Sequence, residues 1–283
     1  MGRNLRFVGC PLCRWAGGEK GNVYVGFYNT GEIWKLTPSG KHGIFATLDV
    51  TSTNGGGLVG LALDDEGSIY ACDGSGNAAT NGIWKVDKHG NTSMLAATDP
   101  AGFPNAIAID QAGNLFVSDS YLGEILKITP SGQVEVWVQS SLLLPVYAYG
   151  ANGVEFDGGA LFVANTDKGL IVRIPVAADG SAGAPTVFVQ SPMLAGADGI
   201  AFDVLHNLYV AVDFQNMIVE VSPSGAITTL ATASEGLDFP ASTSFGQTSG
   251  ERTSLYWTSG GWDFGNPSLQ KMNVGIIGVP LPL

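Results

Sequence analysis

Charged residues, cysteine and histidine are all scarce in this sequence. Of 283 residues, 13% are charged, three are cysteine and three are histidine. Lysine and arginine number only 13 against 25 aspartate and glutamate residues, so the formal net charge is −12. A negative field repels phosphate backbones, and the sequence contains no cluster of basic residues to offset it. We therefore predict that nucleic acid is not a partner.

Long apolar runs are missing as well. A membrane-spanning helix needs roughly 18 to 20 consecutive apolar residues, and no segment of the sequence approaches that length. The stretch from Met1 to Gly18 contains three arginines but no continuous apolar region, so it does not resemble a signal peptide. The sequence predicts no membrane span and leaves the cellular compartment unassigned.

The three cysteines are Cys10, Cys13 and Cys72. Two residues separate Cys10 from Cys13, a spacing that serves redox chemistry or half of a zinc site. No second pair of cysteines or nearby pair of histidines completes a zinc set, and no alternation of strand and helix surrounds the pair. We favour two ordinary thiols, or a local disulfide between them, over a redox or zinc site.

Helical periodicity is also absent, whereas glycine and proline are frequent. No window keeps apolar residues at positions i, i+3, i+4 and i+7, the spacing of one helix face. The sequence contains 40 glycines and 14 prolines, which indicates many tight turns. Because 45% of the residues are hydrophobic, the chain has enough apolar surface for a packed core. These features favour an all-β fold.

A six-residue motif recurs along the chain at intervals of 43 to 47 residues. Its copies are Val59–Asp64, Asn105–Asp110, Asn152–Asp157, Asp198–Asp203 and Ala241–Gly246. Three further short runs follow most copies, and after the second copy they are Leu115–Ser118, Glu124–Ile128 and Val134–Val138. Four short strands with hairpin turns in about 45 residues match one blade of a β-propeller.

Six such units account for nearly the whole chain, since the segment around Asn22–Gly26 supplies one more. We therefore predict a single all-β domain over residues 1–283, a six-bladed β-propeller of four-stranded antiparallel blades around a central channel, present as a monomer. Residues 1–20 form an irregular N-terminal segment. The last unit shows only three clear strands, so we expect Leu5–Val8 to supply its outer strand and close the ring.

The first residue of each innermost strand faces the central channel in a propeller of this kind. At this position the units carry Cys13, Val59, Asn105, Asn152, Asp198 and Ala241. Three consecutive blades thus direct two amide oxygens and one carboxylate to a common axis, and Ca²⁺ takes oxygen ligands of this kind. The alternative is that Asn and Asp only form turns at the strand starts. Because the three polar residues share one repeat position, we favour a site for a divalent metal.

Three short motifs contain these polar residues: Phe103-Pro-Asn105, Ala151-Asn152-Gly153 and Ala197-Asp198-Gly199. With these motifs, and from about Gly21 to the C-terminus, the sequence resembles the senescence-marker-protein/gluconolactonase/luciferin-regenerating family of six-bladed propellers. The resemblance implies that Asn152 and Asp198 ligate a divalent metal, usually calcium or zinc. It implies that Asn105 lies beside the metal and contacts bound water or substrate, and that Asp198 is the general base in the hydrolysis of a lactone.

Two positions depart from the pattern of that family. The family has a glutamate ligand in the first blade, where this sequence has Cys13. It often has a basic residue for sugar-acid substrates two positions before the first Asn, where this sequence has Phe103. The first difference weakens the expected metal site, although a Cys13 thiolate is a softer ligand that favours Zn²⁺ over Ca²⁺. The second difference favours a less polar substrate than a sugar-acid lactone.

Aromatic residues near these motifs are candidates for substrate contacts. Tyr147 and Tyr149 lie on a long insertion, residues 139–150, that also carries a run of leucines. We expect Phe103, Tyr147 and Tyr149 to bind the substrate. An alternative is that the insertion only packs on the face of the propeller. The last unit has a similar aromatic loop at residues 262–264.

Asp73, Asp119 and Asn165 share another repeat position, at the end of the second strand of their units. Asp and Asn favour turns, so we interpret these three residues as turn formers rather than as part of a pocket rim. The histidines lie in or beside predicted turns and none falls at a channel position, so we assign them no catalytic role.

Together with the polar residues of the ring, the resemblance implies a metal-dependent hydrolase that acts on a small-molecule substrate, a lactone or related ester, with metal-activated water in the central channel. Two alternatives remain open. One is a non-catalytic propeller that binds a ligand or serves in an interaction, which Cys13 in place of the glutamate favours. The other is a propeller lyase or cyclase. Propellers host many unrelated functions, so the fold does not decide among the three.

Overall fold

The computed structural model describes the backbone of residues 5–6 and 13–17 and all atoms of residues 21–280. The described residues form six four-stranded antiparallel sheets, which are the blades of a propeller. This arrangement confirms the predicted all-β, six-bladed fold. Helical structure in the described chain is limited to single 3-10 turns at Pro192–Leu194, Asp213–Gln215 and Ala233–Glu235.

The strands are numbered in chain order, and β1 (Leu5–Arg6) belongs to the sixth blade. The first blade contains β2 (Cys13–Gly17), β3 (Val23–Phe27), β4 (Glu32–Leu36) and β5 (His42–Thr47). The second blade contains β6 (Leu58–Leu63), β7 (Ile69–Asp73), β8 (Gly82–Val86) and β9 (Thr92–Ala97). The third blade contains β10 (Pro104–Ile109), β11 (Leu115–Asp119), β12 (Glu124–Ile128) and β13 (Val134–Gln139).

The remaining blades follow the same order. The fourth contains β14 (Ala151–Asp157), β15 (Ala160–Asn165), β16 (Leu170–Pro175) and β17 (Thr186–Gln190). The fifth contains β18 (Ala197–Phe202), β19 (Leu208–Val212), β20 (Met217–Val221) and β21 (Ile227–Ala231). The sixth contains β22 (Pro240–Phe245), β23 (Ser254–Ser259) and β24 (Ser268–Asn273), completed by β1.

The first strand of each blade lies at the axis of the propeller. β2, β6, β10, β14, β18 and β22 contact one another in that order, and β22 contacts β2, so the six strands form a closed ring. The N-terminal strand closes the sixth blade, because β1 pairs with β24 with Leu5 opposite Leu269 and Arg6 opposite Ser268. This pairing confirms the predicted closing strand and covers a sheet edge that would otherwise stay open. Residues 7 and 8 of the predicted strand lie outside the described residues.

Burial in each blade falls from the axis to the rim. The second strands β7, β11 and β19 are buried at every residue. Both faces of such a strand are covered by the neighbouring blades, which explains why its sequence is a continuous apolar run rather than an alternating one. The outermost strands β13 and β17 have no fully buried residue.

Aromatic side chains join consecutive blades at equivalent places. Each pair combines rings of two neighbouring blades at an angle of more than 60° between the ring planes, a favourable arrangement. The pairs are Phe116–Phe156 at 5.0 Å, Phe162–Phe202 at 4.8 Å and Tyr209–Phe245 at 5.3 Å between ring centroids. These contacts fix the rotation of each blade against the next, and hence the relative positions of the innermost strands.

No helix in the part of the chain that the structure describes has the length and apolar character needed to cross a membrane.

Candidate functional site

The innermost strands all begin at one end of the propeller, which we call the upper face. Because the strands of a blade alternate in direction, the loops from second to third strand also lie at this end. So do the connections from the fourth strand to the next blade. Residues 103, 120 and 140–150 therefore belong to the same face as the starts of β10 and β14.

Asn105, Asn152 and Asp198 lie at the same level around the axis, one residue after the strand starts at which the sequence placed them. Each is the second residue of an innermost strand, in the third, fourth and fifth blades respectively. All three are buried, with 2%, 4% and 3% of their surface exposed. The equivalent residues of the flanking blades are Val59 and Ala241, so the polar character is confined to three consecutive blades.

A β-bulge at each of these places turns the site residue. In β10 the register shifts between Pro104 and Ile107, and β14 and β18 shift at the equivalent points. A bulge inserts one extra residue and redirects the side chains beside it. The first blade differs, because Cys13–Gly17 pairs with Val23–Phe27 without a shift. Cys13 begins the innermost strand, as expected, but opposite Phe27 in a regular register rather than in a bulge. Its side chain is outside the described atoms.

The glycines of the Asn-Gly and Asp-Gly pairs have a packing role. A Cβ atom on Gly153 would collide with the carbonyl oxygen of Asp198, and one on Gly199 would collide with the backbone of Ser242. The innermost strands of neighbouring blades approach too closely there for any other residue. These glycines are therefore explained by the geometry of the ring without reference to chemistry.

A second set of residues, which the sequence reasoning missed, lies next to the first. Ser120, Thr166 and Asp213 each follow the end of the second strand in the third, fourth and fifth blades. Their backbone N–H groups donate to the carbonyls of Phe103 at 3.0 Å, Gly150 at 3.1 Å and Gly196 at 2.9 Å respectively. Since these carbonyls precede equivalent innermost strands, the three residues occupy one structural position.

Hydroxyl groups at this second position orient the two amides. Asn105 Nδ2 donates to Ser120 Oγ at 2.9 Å, and Asn152 Nδ2 donates to Thr166 Oγ1 at 2.9 Å. Each hydroxyl in turn donates to the next blade, Ser120 to the carbonyl of Ala151 and Thr166 to that of Ala197. The amide nitrogens are thereby fixed, which leaves the amide oxygens to face other groups.

The amide oxygen of Asn105 is the clearest sign of a ligand at this site. Asn105 Oδ1 is buried and has no hydrogen-bond partner among the described residues. Leaving such an acceptor unpaired costs about 1–3 kcal/mol. Together with the amide of Asn152 and the carboxylate of Asp198, it forms a set of oxygen donors that suits a hard divalent cation such as Ca²⁺. The described residues contain no cluster of three His, Cys, Asp or Glu side chains suited to a metal, so a site here depends on the amides.

Three aromatic rings lie beside this set on the upper face. Phe103 is 2% exposed and contacts Tyr121 at 5.0 Å and Tyr149 at 5.5 Å between ring centroids. Burial, followed by the adjacent Tyr149, raises the pKa of Tyr121 to about 12. The structure thus brings together two of the predicted substrate contacts, Phe103 and Tyr149. Tyr147 is 88% exposed, and Tyr121 was not predicted.

The insertion that carries Tyr149 is fixed to the propeller. Leu143 is fully buried and packs in the core between the third and fourth blades. Asp167 Oδ2 accepts hydrogen bonds from the backbone N–H groups of Val146, Tyr147 and Ala148. Burial raises the pKa of Asp167, but these N–H groups outweigh burial and lower it overall. The insertion both packs on the propeller face and presents Tyr149 beside the site.

A second aromatic group lies on the upper face at the fifth and sixth blades. Phe239 stacks on Trp262 at 5.6 Å and contacts Phe214 at 6.0 Å. Trp262 and Phe214 are 56% and 55% exposed. Phe239 has a φ of +59°, which is strained for a bulky residue, and its N–H donates to Asn216 Oδ1 at 2.6 Å. The sequence predicted the Trp262 loop but not Phe214 or Phe239.

Asp73, Asp119 and Asn165, which the sequence predicted to form turns, each hold a turn at the end of a second strand. Asp119 Oδ1 accepts hydrogen bonds from the N–H groups of Phe103, Tyr121 and Leu122, and Asp73 Oδ1 accepts one from Ser75. Burial raises the pKa of Asp73 to about 6. Asn165 makes an equivalent contact, since its Oδ1 accepts a hydrogen bond from the backbone N–H of Lys168.

Glu155 is an unexpected acid on the innermost strand of the fourth blade. The equivalent residues in other blades are small, namely Ala62, Ala108, Ala201 and Ser244. Glu155 is half-buried, and burial raises the pKa of its carboxyl to about 8. In the sequence, Glu155 occupies a polar position of a strand with alternating polar and apolar residues. The pattern therefore did not indicate that its carboxyl is partly removed from water.

Comparison with known proteins gives one partial sequence relative. No protein-family model matches the sequence. Core trichothecene cluster (CTC) protein 14 of Fusarium sporotrichioides is 26% identical over 132 residues, which are 45% of this chain and 35% of that protein. The match therefore spans well under half of the relative's length.

Solved structures agree over nearly the whole chain. A gluconolactonase of Xanthomonas campestris has a TM-score of 0.72 and 14% identity, covering 98% of this chain and 90% of that one. Luciferin-regenerating enzyme has a TM-score of 0.72 and 15% identity, with 98% of each chain covered. This chain shares their propeller fold.

Virginiamycin B lyase of Staphylococcus aureus has the same fold, with a TM-score of 0.67, 18% identity and coverage of 100% of this chain and 89% of that one. The predicted resemblance is therefore confirmed at the level of the fold. Because gluconolactonase and lyase share that fold, the reaction of this chain has to be argued from its own residues.

Proposed function

We propose that the protein is a metal-dependent hydrolase of a lactone or related ester, with its centre at Asn105, Asn152 and Asp198. The observation that carries the proposal is the buried amide oxygen of Asn105, which has no hydrogen-bond partner in the described part of the chain and lies in a ring with another amide and a carboxylate. A divalent cation would satisfy that oxygen and accept the side-chain oxygens of Asn152 and Asp198 as further ligands.

Each residue of the centre has a separate task in this proposal. Asn152 and Asp198 hold the metal, and Thr166 keeps the amide of Asn152 in place through its hydroxyl. The amide oxygen of Asn105 faces the cation or accepts a hydrogen bond from the attacking water. When bound, the cation polarises an ester carbonyl and lowers the pKa of bound water. The carboxylate of Asp198 accepts the proton released as the water attacks.

The surroundings of the centre favour a substrate with an apolar part. The ring of Phe103 lies over Gly74, where a Cβ atom would collide with it, and Tyr121 and Tyr149 extend the same surface. None of these three side chains carries a positive charge that could bind a carboxylate, which disfavours a sugar acid as the substrate. Phe239 and Trp262 provide a second aromatic surface on the same face. Ligand pockets of this kind bind apolar groups and use a few polar atoms for orientation.

Metal analysis of the dialysed protein is the first test. We expect one equivalent of Ca²⁺ or Zn²⁺ in the wild type and loss of that metal in Asn152→Ala and Asp198→Ala. Asn273→Ala and Asp65→Ala serve as matched controls, because both residues are exposed. Hydrolysis of apolar lactones and esters, followed by acid release with and without chelator, then tests the reaction. A wild type without metal, even after incubation with both ions, contradicts the proposal.

The two alternatives give different outcomes in the same experiments. Hydrolysis adds the mass of one water to the substrate, whereas a cyclase, or a lyase that opens a ring by elimination, leaves the mass unchanged. A protein that binds these ligands but converts none of them is a binding module. The regular register at Cys13, without the bulge of the other blades, supports that last alternative.

A further inference from the structure

Phe239 has the same structural position in the sixth blade as Phe103 has in the third. Each precedes a proline that pairs with the last residue of the second strand of its blade. The carbonyl of each accepts a hydrogen bond from the N–H of the first residue after that strand, Ser120 at 3.0 Å and Gly260 at 2.8 Å respectively. Because the third and sixth blades are opposite in a ring of six, the two phenylalanines lie on opposite sides of the channel mouth.

Each of these phenylalanines is the centre of a group of three aromatic rings. We call them the Phe103 group, with Tyr121 and Tyr149, and the Phe239 group, with Phe214 and Trp262. The two groups differ in how much of their surface meets water. Phe103 is 2% exposed, whereas Trp262 and Phe214 are 56% and 55% exposed. The Phe239 group therefore presents ring surface that nothing in the described part of the chain covers.

The backbone of Phe239 is held in an unfavourable conformation. Its φ of +59° lies in the left-handed region, which a bulky side chain rarely adopts. Asn216 Oδ1 accepts a hydrogen bond from the N–H of Phe239 at 2.6 Å, and Asn216 Nδ2 donates to Asp263 Oδ2 at 2.7 Å in the Trp262 loop. Strained residues of this kind persist where surrounding contacts fix them, and they are frequent in ligand clamps.

A buried aspartate fixes the loop that carries Trp262. Asp238 is 1% exposed, and its carboxylate accepts hydrogen bonds of 2.9–3.1 Å from the backbone N–H groups of Asp263, Phe264 and Asn266. The exposed indole of Trp262 therefore stands on a loop that is held at three backbone positions. A site whose rings are already in place loses little conformational entropy when a ligand binds.

The upper face around the Phe239 group is acidic in the part of the chain that the structure describes. In the fifth and sixth blades, its connecting segments contain acidic residues but no lysine, arginine or histidine; the segments are residues 191–196, 213–216, 232–239 and 260–267. They offer no positive charge to a carboxylate or phosphate of a ligand. The exposed faces and edges of the rings suit another flat ring, since aromatic pairs prefer offset-stacked or edge-to-face contacts.

We propose that Phe214, Phe239 and Trp262 form a binding site for a flat aromatic group without negative charge. The site itself stands on the geometry of the three rings. The inference also names the kind of substrate, and in that respect it rests on the proposed function: the lactone or ester carries an aromatic ring. Binding of the ring needs no metal, so it can be measured separately from hydrolysis.

A ligand-observed NMR titration in chelator tests the site in the full chain. The probe is dihydroquinolinone, a lactam fused to an aromatic ring, which resists hydrolysis. The reference ligand is octahydroquinolinone, which has the same skeleton with the aromatic ring saturated. We expect the wild type to bind the aromatic probe about 3- to 10-fold more tightly than the saturated one, because only the aromatic ring gains the contribution of ring pairing.

Leucine variants identify the rings that bind the probe. Trp262→Leu and Phe214→Leu each remove an exposed ring and keep an apolar side chain, so we expect each to weaken binding of the aromatic probe by about 3- to 10-fold. Phe264→Leu is the matched control, because Phe264 is an exposed ring of the same loop outside the group; its affinity should stay within about twofold of wild type. Tyr149→Leu tests whether the probe binds at the Phe103 group instead.

Hydrolysis in the presence of metal gives a second readout. Dihydrocoumarin is a lactone fused to an aromatic ring, and δ-nonanolactone is an aliphatic lactone with the same number of carbon atoms. In Trp262→Leu, we expect kcat/KM for dihydrocoumarin to fall by about 3- to 10-fold, mainly through KM, because a contact to a part of the substrate that does not react is lost. The value for the aliphatic lactone should stay within about twofold of wild type.

The outcomes separate this site from the proposed function. Equal binding of the two lactams by the wild type overturns the site, and so does wild-type affinity for the aromatic probe in both Trp262→Leu and Phe214→Leu. A loss only in Tyr149→Leu, or an equal loss in Phe264→Leu, also overturns it. If the two variants lose binding but the wild type hydrolyses no lactone, the site stands and the proposed reaction is wrong. If Trp262→Leu hydrolyses both lactones as the wild type does, the reaction stands and the site is wrong.

Discussion

Asn105 donates its amide N–H to Ser120 Oγ at 2.9 Å while its amide oxygen stays buried without a partner among the described residues. The serine therefore fixes the amide nitrogen and leaves the amide oxygen available to another partner. Ser120 itself donates to the carbonyl of Ala151 in the next blade. One hydroxyl thus joins two blades and orients a candidate ligand.

Replacing that serine should cost stability. Ser120→Ala leaves the buried amide of Asn105 and the carbonyl of Ala151 without their partner, so we expect the free energy of unfolding to fall by about 1–3 kcal/mol. Urea unfolding measures the change. Ser131→Ala is the control, because Ser131 is exposed and bonds only to another exposed hydroxyl; its effect should stay within about 0.5 kcal/mol. Equal losses in both variants would show that the Ser120 bonds contribute nothing of their own.

Charging Asn105 should have opposite effects with and without metal. In chelator, Asn105→Asp adds a buried charge, and we expect the free energy of unfolding to fall by about 1–3 kcal/mol. With Ca²⁺ present, the added carboxylate should raise calcium affinity by about tenfold. Asn273→Asp, at the exposed end of β24, should change neither quantity. The measurements are urea unfolding in chelator and calcium titration. If calcium restores none of the lost stability, Asn105 does not lie beside a metal.

The fold was predictable from sequence because the propeller repeats one unit six times. The motif copies at Asn105 and Asn152 come at the same place in each blade, so periodicity alone revealed both the architecture and the position of the ring. The closing strand was predictable because the last unit shows only three strands, one fewer than the other units.

The second position of the ring was not predictable in the same way. Ser120 and Asp213 follow the end of a strand, where small and polar residues are ordinary turn formers. Their common role depends on backbone hydrogen bonds to the residue before each innermost strand. Those bonds join segments more than ten residues apart, and a bulge sets the local register. Neither the backbone hydrogen bonds nor the bulge can be recognised from the order of residue types.

The close approach of innermost strands makes Gly153 a sensitive position. In Gly153→Ala the new methyl group would meet the carbonyl oxygen of Asp198, so the strands must separate. We expect a loss of about 1–3 kcal/mol in the free energy of unfolding, as for other overpacked sites. Calcium affinity should fall as well, because Asp198 is displaced. Gly43→Ala is the control, since a Cβ atom on Gly43 meets no atom within 4 Å. Comparable losses for both variants would indicate that strand separation is not the cause.

We expect Glu155 to lower the free energy of unfolding as the pH rises above neutral. Burial raises its pKa from 4.5 to about 8, so the folded protein binds more protons than the unfolded chain between these values. The contribution of Glu155 to stability is then fully present below about pH 4.5 and is lost as pH rises through about 8, because the half-buried carboxyl must ionise. Integrated over that window, the loss is on the order of 4–5 kcal/mol. Glu155→Gln removes the titrating group and should flatten the curve between pH 5 and pH 9, giving a variant that is more stable than wild type at the alkaline end. Urea unfolding at a series of pH values measures both curves. Glu135→Gln, on the exposed strand β13, should follow the wild type. Parallel curves for Glu155→Gln and wild type would mean that this carboxyl ionises as it does in water.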